Sequence, residues 1–512
     1  MKDIIVILDF GSQYTQLIAR RIRELKVFSV IFPFNVSIEK IKKIDPKGII
    51  LSGGPHSVYE KNAPHLKKEI LKLKIPILGI CYGMHIMVKT LGGKVGEARK
   101  REYGRALMYI DNHKNLFFSL PAKIVSWMSH TDKVTSLPKG FVPLAHTEST
   151  NFSAIGNIKD KLYGVQFHPE VIHTKGGLQI ISNFLFRICE CFATWQLKDF
   201  VETKINEIKK KVKKKNVICG LSGGVDSATV AVLANKAIGK RLKCIFVDNG
   251  LLRKNERKNI TRVFKKNFKI DLRTVNAKKS FFTKLKGIID PEVKRKIIGH
   301  EFIRIFEKEA KKIKNAKFLA QGTLYPDVIE SVPFFGGPTS RIKSHHNVAG
   351  LPLNMRLKLI EPLRELFKDE VREIAKILEL PEDLIWRQPF PGPGLAVRIV
   401  GEITKERLRI LREADSILER IIKEKKLCKK LWQSFCILLP LKSVGVMGDK
   451  RTYEYVVAIR AVESLDGMTA DWAKLPHEVM ENISNTIINQ VRGINRVVFD
   501  ISSKPPATIE WE

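Results

Sequence analysis

Through residues 1–194, short Val/Ile-rich runs alternate with amphipathic stretches, and that rhythm limits the chain to very few architectures. Ile4–Leu8, Gly48–Leu51 and Ile75–Ile80 are apolar on both strand faces, and Gln13–Leu25 carries its apolar positions at helical spacing. Strands buried on both faces, with helices between them, form a parallel sheet covered on each side. The pattern resumes after KINEIKKKVKKK, which reads as a basic surface helix entering a new unit. There Asn216–Gly220 and Leu242–Val247 read as strands and Ser227–Ala237 as the helix between them. The Pro/Gly cluster in RQPFPGPGLAVRIV (Arg387–Val400) marks a third boundary. Beyond it come one helical stretch and strands at Ser434–Leu439, Tyr455–Ile459 and Arg496–Ile501. The expected fold class is α/β: two doubly wound parallel-sheet domains, residues 1–194 and 195–388, then a smaller α+β domain at 389–512.

The 512 residues carry 90 Lys+Arg against 53 Asp+Glu, a formal net charge of +37. That balance suggests a nucleic-acid binder, but two features argue against a specific nucleic-acid partner. The basic side chains are 62 Lys and 28 Arg, whereas phosphate and base recognition leans on Arg. The excess is also regional: residues 201–300 hold 27 basic and 8 acidic side chains, residues 451–512 only 6 and 9. No run approaches the ~18 apolar residues that span a bilayer, so no membrane partner is expected. Ile4–Leu8, flanked by Asp3 and Asp9, reads as a buried strand rather than a signal peptide. Seven Cys without a CxxC pair fit a reducing, cytoplasmic setting. Cys189 and Cys191 have no further ligands at metal spacing.

Ligands of open parallel sheets bind beyond the carboxyl ends of the strands. Reading only those ends gives Asp9-Phe10-Gly11-Ser12, Ser52-Gly53-Gly54-Pro55 and Gly79-Ile80-Cys81-Tyr82-Gly83. The last is a strand, a Cys between small residues and a helix over Met84–Leu91, the arrangement of a nucleophile elbow. Gly79 and Gly83 clear a tight turn, and the helix N-terminus favours negative charge at the sulfur. A further strand ends at His168, with Glu170 placed to orient its imidazole. Cysteine, base and orienter supply what acyl transfer needs, and the N–H groups of Gly53, Gly54 and Tyr82 are the expected oxyanion donors. With GICYGM, LSGGP and FHPE, this segment resembles the class I (triad-type) glutamine amidotransferases. The resemblance implies hydrolysis of glutamine through a cysteinyl thioester, with Cys81 as nucleophile, His168 as base then acid and Glu170 as its orienter. Two positions depart from that family's pattern. His85 stands where Gln is usual, and Thr131 replaces the Gly of SHGD. Both fall near the expected glutamine pocket and neither touches the triad, so the doubt falls on glutamine affinity.

Leu221-Ser222-Gly223-Gly224-Val225-Asp226-Ser227 follows a strand and opens a helix, so backbone N–H groups, the helix dipole and two hydroxyls converge on an anion. It is no Walker A loop, lacking GxxxxGK[ST]. SGGVDS is similar to the signature of the ATP pyrophosphatase (PP-loop) family. That resemblance implies ATP binding by Ser222, Gly223, Gly224, Val225, Asp226, Ser227, Ala228 and, at the end of the next strand, Asp248. Mg²⁺ is expected to travel with the ATP, Asp226 being its protein ligand. Ala320–Thr323 and Ile342–Asn347, with Lys343 and His346, are further polar clusters ending apolar runs.

PFPGPGLAVR, KSVGVMGDKRTYEYVVAIRAVES and SKPPATIEWE resemble the C-terminal domain of the GMP synthase (glutamine-hydrolysing) family, in that family's order along essentially the whole chain. The resemblance implies that xanthosine monophosphate (XMP) is adenylylated by ATP and then aminated by ammonia from glutamine, releasing AMP and pyrophosphate. It also implies a homodimer through the C-terminal domain, and XMP contacts from Arg295, Lys504 and Glu510. Lys294–Gly299 is expected to act as a mobile basic lid, giving part of the charge at 201–300 a local use. One alternative is the same ligase fed mainly by free ammonia, motivated by His85 and Thr131. Another is a PP-loop tRNA-modifying enzyme, which the missing CxxC pairs and the fused glutaminase disfavour. The intact Cys81, His168 and Glu170 disfavour an inactive scaffold.

Overall fold

The computed structural model describes residues 3–330, 357–464 and 469–512; the cluster Ile342–Asn347, with Lys343 and His346, lies outside them. The described chain divides between Gln196 and Leu197 into two compact units.

In the first unit, nine strands form one sheet: β1 (Ile4–Asp9), β2 (Phe28–Pro33), β3 (Gly48–Leu51), β4 (Ile77–Ile80), β5 (Lys94–Ile110), β6 (Lys123–Ser136), β7 (Val142–His146), β8 (Ala154–Asn157) and β9 (Leu162–Val165). Their order is β2-β1-β3-β4-β9-β8-β7-β5-β6. The half from β2 to β9 is parallel, and β3, β4 and β9 are buried along their whole length. This is the doubly wound core expected from the apolar runs. An antiparallel half, β9-β8-β7-β5-β6, extends it. Of these, β6 and β7 escape a search for continuous apolar runs because they have a wet face: β6 alternates buried with partly exposed positions from Ile124 to His130, while β8 is buried but only four residues long, AIGN.

Register decides where the chain emerges. Leu8 pairs with Leu51, Leu51 with Gly79 and Ile80 with Val165. Strands β1, β3, β4 and β9 therefore end level at one edge. Ser52 N–H donates to the Leu8 carbonyl (3.0 Å) and Cys81 N–H to the Val165 carbonyl (2.8 Å) across that edge.

The second unit begins with the helix Leu197–Val212 and a parallel sheet of β10 (Asn216–Gly220), β11 (Leu242–Asp248), β12 (Asp271–Asn276), β13 (Ala316–Ala320) and β14 (Lys358–Ile360), ordered β12-β11-β10-β13-β14. The winding reverses at β10, so the loop after it sits at the switch point where such sheets bind ligands. A second sheet holds β15 (Gln433–Met447), β16 (Lys450–Glu463), β17 (Asp471–Trp472) and β18 (Ile494–Asp500), with β18 parallel to β16 and the other pairs antiparallel. Helices Lys405–Glu424 and His477–Gln490 pack on it. The second of these adds to the single helical stretch expected from sequence. It buries only Val479, Ile483 and Ile487, so its apolar stripe is one residue wide. One apolar core runs from Ile218 and Val247 through Leu395 and Leu411 to Ile459 and Ile494, joining both sheets of this unit.

The expected basic lid is instead part of a fixed helix, Pro291–Ala310. Asp290 caps it, accepting from Val293 N–H (2.8 Å), and Pro291 occupies the first turn. That start signal outweighs the charge of Lys294, Arg295 and Lys296. Lys294 is wholly buried, donating to the Ile399 carbonyl (2.8 Å) and to the Glu512 carboxylate.

At Gly83, a methyl group would lie 2.3 Å from the Leu51 carbonyl oxygen, and at Gly79, 2.7 Å from the Gly83 carbonyl. Backbone cannot yield as a flexible side chain does. Gly83→Ala is therefore expected to destabilise the first unit by about 3 kcal/mol or more, read as a lower denaturant midpoint for that unit's transition with the second unit's transition unmoved.

Candidate active sites

Cys81 occupies the turn between β4 and the helix Tyr82–Thr90 at φ 50° and ψ −109°, a left-handed conformation that costs a non-glycine residue strain. The turn holds the sulfur at the strand edge, where Sγ lies 3.8 Å from the Ser129 carbonyl and 3.9 Å from Gln166 Nε2. His168 follows β9 by three residues. Its N–H donates to the Trp127 carbonyl (3.0 Å), and its own carbonyl accepts from Thr174 Oγ1 (2.7 Å). Its Nδ1 donates to Glu170 Oε1 at 2.7 Å, and both side chains are almost completely buried. The edge of Tyr14 packs against the imidazole, with ring centroids 5.1 Å apart. Burial opposes charge on His168, but the Glu170 carboxylate and a hydrogen bond with Cys81 outweigh it and raise the imidazole well above its usual value. Glu170 Oε2 has no hydrogen-bond partner among the described residues.

Gly53 lies against this imidazole: a methyl group there would sit 3.2 Å from His168 Cε1. The N–H groups of Gly53 and Gly54 have no acceptor among the described residues, and Tyr82 opens its helix. The structure thus brings Cys81, His168, Glu170, Gly53, Gly54 and Tyr82 to one strand edge. A sulfur nucleophile, an imidazole held by a carboxylate and unpaired N–H donors can together form and break a thioester.

Sequence reasoning missed two groups here. Gln166, fully buried, bridges Cys81 and His85; His85 Nε2 lies 2.7 Å from Gln166 Oε1. Burial lowers His85 to about 4, against the opposing hydrogen bond to Gln166. Glu102 on β5 accepts from His130 Nε2 (3.1 Å), Thr147 Oγ1 (2.8 Å), Thr150 Oγ1 (2.9 Å) and Ser149 Oγ. Burial works against its charge, and these four donors overcome it, bringing the carboxyl to about 2. Gln166 could have been found from its place two residues before His168; Glu102 gave no signal in an unremarkable polar stretch.

In the second unit, a cavity of about 260 Å³ opens over the end of β10. Ser222, Gly224, Val225 and Asp226 line it, facing Phe390, Arg387 and Lys368. Gly223 adopts φ 81°, and a methyl group there would lie 2.5 Å from Ile260 and 2.7 Å from Arg387 Nη1, so only glycine fits. Arg387 Nη1 donates to the Gly223 carbonyl (2.7 Å) and Nη2 to Glu256 (2.5 Å). Ser222 and Ser227 bond each other through their hydroxyls (3.0 Å). Ala228 is buried within the helix Val225–Ile238. Asp248 is buried beside the cavity rather than lining it, with Arg257 at 3.3 Å and Lys278 at 3.4 Å. Asp226 gives one oxygen to Lys368, while Oδ1 is buried without a hydrogen-bond partner among the described residues. That orphaned oxygen suits a Mg²⁺ whose other ligands are water and phosphate. Among the described residues no cluster of three His, Cys, Asp or Glu could hold a metal alone.

Arg295, Lys504 and Glu510 have separate partners: Arg295 touches the C-terminal segment, and Lys504 and Glu510 are part of it. Arg295 Nη2 donates to the Glu512 main-chain carbonyl. Glu510 is held by Arg398 Nη2 (2.9 Å) and Nε (3.1 Å) and by Gln433 (2.6 Å). Lys504 exchanges backbone hydrogen bonds with Ala470 (3.0 and 2.7 Å).

Residues 6–188 match the family described as Glutamine amidotransferase class-I, 194–296 NAD synthase and 420–511 GMP synthase C terminal domain. A GMP synthase [glutamine-hydrolyzing] from Brachyspira hyodysenteriae is 62% identical over 510 residues, covering 100% of this chain and 99% of that protein. The chain belongs to the glutamine-hydrolysing GMP synthase family. A second member, from Caldanaerobacter subterraneus subsp. tengcongensis, is 57% identical over 511 residues, again covering 100% of this chain and 99% of the relative. A solved glutamine amidotransferase from Thermotoga maritima is 20% identical, covers 41% of this chain and 86% of its own, and superposes with a TM-score of 0.28. Among the described residues no helix is long and apolar enough to cross a membrane.

Two pH effects follow from these sites. The raised His168 contributes stability that is complete below its unfolded value near 6.5 and is lost as pH rises through the higher folded value. Glu170→Gln should lower the pH at which the His168 ring protons titrate by NMR. The depressed Glu102 contributes stability present above 4.5 and lost as pH falls through about 2. The stability gap between the parent chain and Glu102→Gln, measured by urea unfolding, should accordingly be constant near neutrality and shrink below pH 4.5.

Proposed function

We propose that this chain aminates XMP to GMP, consuming ATP and taking ammonia from glutamine. The observation that carries this reading is the pairing of two chemistries in one family member: a buried Cys–His–Glu arrangement and a glycine phosphate loop opening a helix into a cavity.

In residues 1–194, His168 takes the Cys81 proton, and the sulfur attacks the glutamine amide carbonyl. The N–H groups of Gly53, Gly54 and Tyr82 receive the oxyanion. His168 then returns the proton to the departing ammonia and activates water against the thioester, while Glu170 keeps Nδ1 protonated and the ring oriented.

In residues 195–388, the N–H groups and hydroxyls of Ser222, Gly223, Gly224, Val225, Asp226 and Ser227 hold the phosphates, whereas Ala228, buried with its N–H given to the Gly224 carbonyl, only packs behind the loop. Arg387 fixes the loop through Gly223, and Asp248 stands at the adenosine side. Asp226 Oδ1 would hold Mg²⁺, which with ATP neutralises charge between the phosphates. XMP attacks the α-phosphate through its 2-carbonyl oxygen, pyrophosphate leaves, and ammonia displaces AMP. Arg295, Lys504 and Glu510 contact XMP. Because Glu510 is already shared by Arg398 and Gln433, XMP must use its remaining acceptor positions.

Residues 389–512 also form a homodimer. In support, Leu441, Val444, Val446 and Tyr453 on the β15–β16 hairpin are each at least half exposed, and Val444 and Tyr453 are cross-strand neighbours. The reading places the enzyme in the cytoplasm, in keeping with seven free cysteines.

The test supplies ATP, Mg²⁺ and XMP with either glutamine or ammonium, following GMP and AMP. Cys81→Ala should abolish the glutamine-driven rate and spare the ammonium-driven one; loss of both would sink the two-site scheme. An unaltered chain that works with ammonium but barely with glutamine would instead be an ammonia-fed ligase.

A further inference from the structure

The glutaminase site contains a buried chain of side chains that the triad does not use. Gln166 is 0% exposed and His85 4% exposed, and they lie in series behind the nucleophile: His85 Nε2 to Gln166 Oε1 at 2.7 Å, then Gln166 Nε2 to Cys81 Sγ at 3.9 Å. A carboxamide has one accepting end and one donating end, so its orientation decides what the sulfur meets. With Oε1 on His85, the NH₂ group faces Sγ and favours a thiolate. Turned over, the carbonyl oxygen would face Sγ and oppose one. Backbone position leaves this choice open: the Gln166 N–H is spent on the Ser153 carbonyl (2.8 Å). The choice falls to the partner of Oε1, and only a donor can hold an acceptor there.

We propose that His85, as an Nε2–H donor, is a positioning residue that locks Gln166 with its amide N–H on the Cys81 sulfur, and that Gln166 thereby stabilises the thiolate nucleophile. This rests on the glutaminase reading and deepens it. His85 stays neutral in this role, as burial requires. Its neighbours are His130 and Asp132 of β6, with Glu102 of β5 paired to His130. Those facing Cys81 are His168, backed by Glu170, and the Ser129 carbonyl. None of these supplies a second N–H donor to Gln166 Oε1. The arrangement also gives His85 a use that does not depend on touching glutamine.

The experiment is the pH profile of Cys81 alkylation by iodoacetamide in the full chain, followed by mass spectrometry of the peptide containing Cys81. Gln166→Met should move the profile to higher pH and slow alkylation at neutral pH about tenfold, the loss of one hydrogen bond to a charged group. His85→Met should move it in the same direction, because the carboxamide is free to turn. His85→Gln, which keeps a donor, should restore the parent profile. Parent-like profiles in both Met variants would overturn the proposal even if glutamine turnover fell, since that would be packing alone. So would a His85→Gln profile that matches His85→Met. Should Gln166→Met fail to fold, the two His85 variants still decide. Alkylation needs neither glutamine nor XMP, so failure here is distinct from failure of the glutaminase reading, which would appear as no ammonia release by the unaltered chain.

Discussion

Neighbouring parallel strands end level with one another, and the reactive groups of both units hang on that edge. In the first unit, the register from β1 through β3 and β4 to β9 delivers Ser52, Cys81 and the segment Gln166–His168 to the same height. In the second, β10 pairs with both β11 and β13, so Ser222, Asp248 and Gln321 emerge together. The strands behind these residues are buried aliphatic ladders with little freedom to slide, because a one-residue slip would turn apolar side chains outward. Such a frame can hold a residue in an unfavourable conformation. Cys81, at φ 50°, carries strain of about 1–3 kcal/mol that the surrounding ladder offsets. A softer scaffold would relax the turn and withdraw the sulfur from His168.

A different constraint governs the end of the chain. Arg398, Arg460 and Lys294 are each 0% exposed, and all three act on the C-terminal segment. Arg398 grips Glu510 and stacks on Phe435 at 4.0 Å. Arg460 donates to the carbonyls of Ser502 and Thr508, and Lys294 reaches Glu512. Removing one partner of a buried pair leaves an uncompensated charge, costing about 3–5 kcal/mol. Together with Ile509, which packs on Phe435, Ile437 and Ala458, these buried cations tie the segment down.

Legibility in the sequence followed burial. Strands β1, β3, β4, β10 and β11 were readable because both faces are apolar, and Cys81, SGGVDS and HPE because each follows such a strand. The antiparallel strands β5–β8 were not, since exposed positions dilute the pattern of β6 and β7, and β8, though buried, offers only AIGN. Lys294 misled for a related reason: a buried Lys that opens the basic run Lys294-Arg295-Lys296 reads as solvated until its acceptors, Ile399 and Glu512, are known, and both are over a hundred positions away. Glu102 was invisible for the same cause, and Gln166, although only two residues before His168, carried no sign of its role. Their meaning lies in partners, Cys81 and His85 for Gln166, His130 and Thr150 for Glu102, that only the fold brings within reach.

The charge illustrates how composition and site can part company. Residues 201–300 contribute 27 basic side chains, yet the two cations lining the phosphate-loop cavity, Lys368 and Arg387, lie outside that stretch. Within it, Lys209–Lys211 and Lys213–Lys215 are exposed, while Lys278 and Lys284 are tied to Asp248 and Glu301. Exposed lysines farther from a bound nucleotide than the Debye length, about 8 Å in physiological salt, are largely screened from it. A nucleotide in this cavity would meet two placed cations among the described residues, whereas a long polyanion meets the whole surface. Salt should separate these sharply: polyanion binding weakens with every counterion released, while nucleotide turnover at the cavity responds far less. The net charge of +37 is thus a property of the lysine-rich surface, and the chemistry is set by a handful of groups at two strand edges.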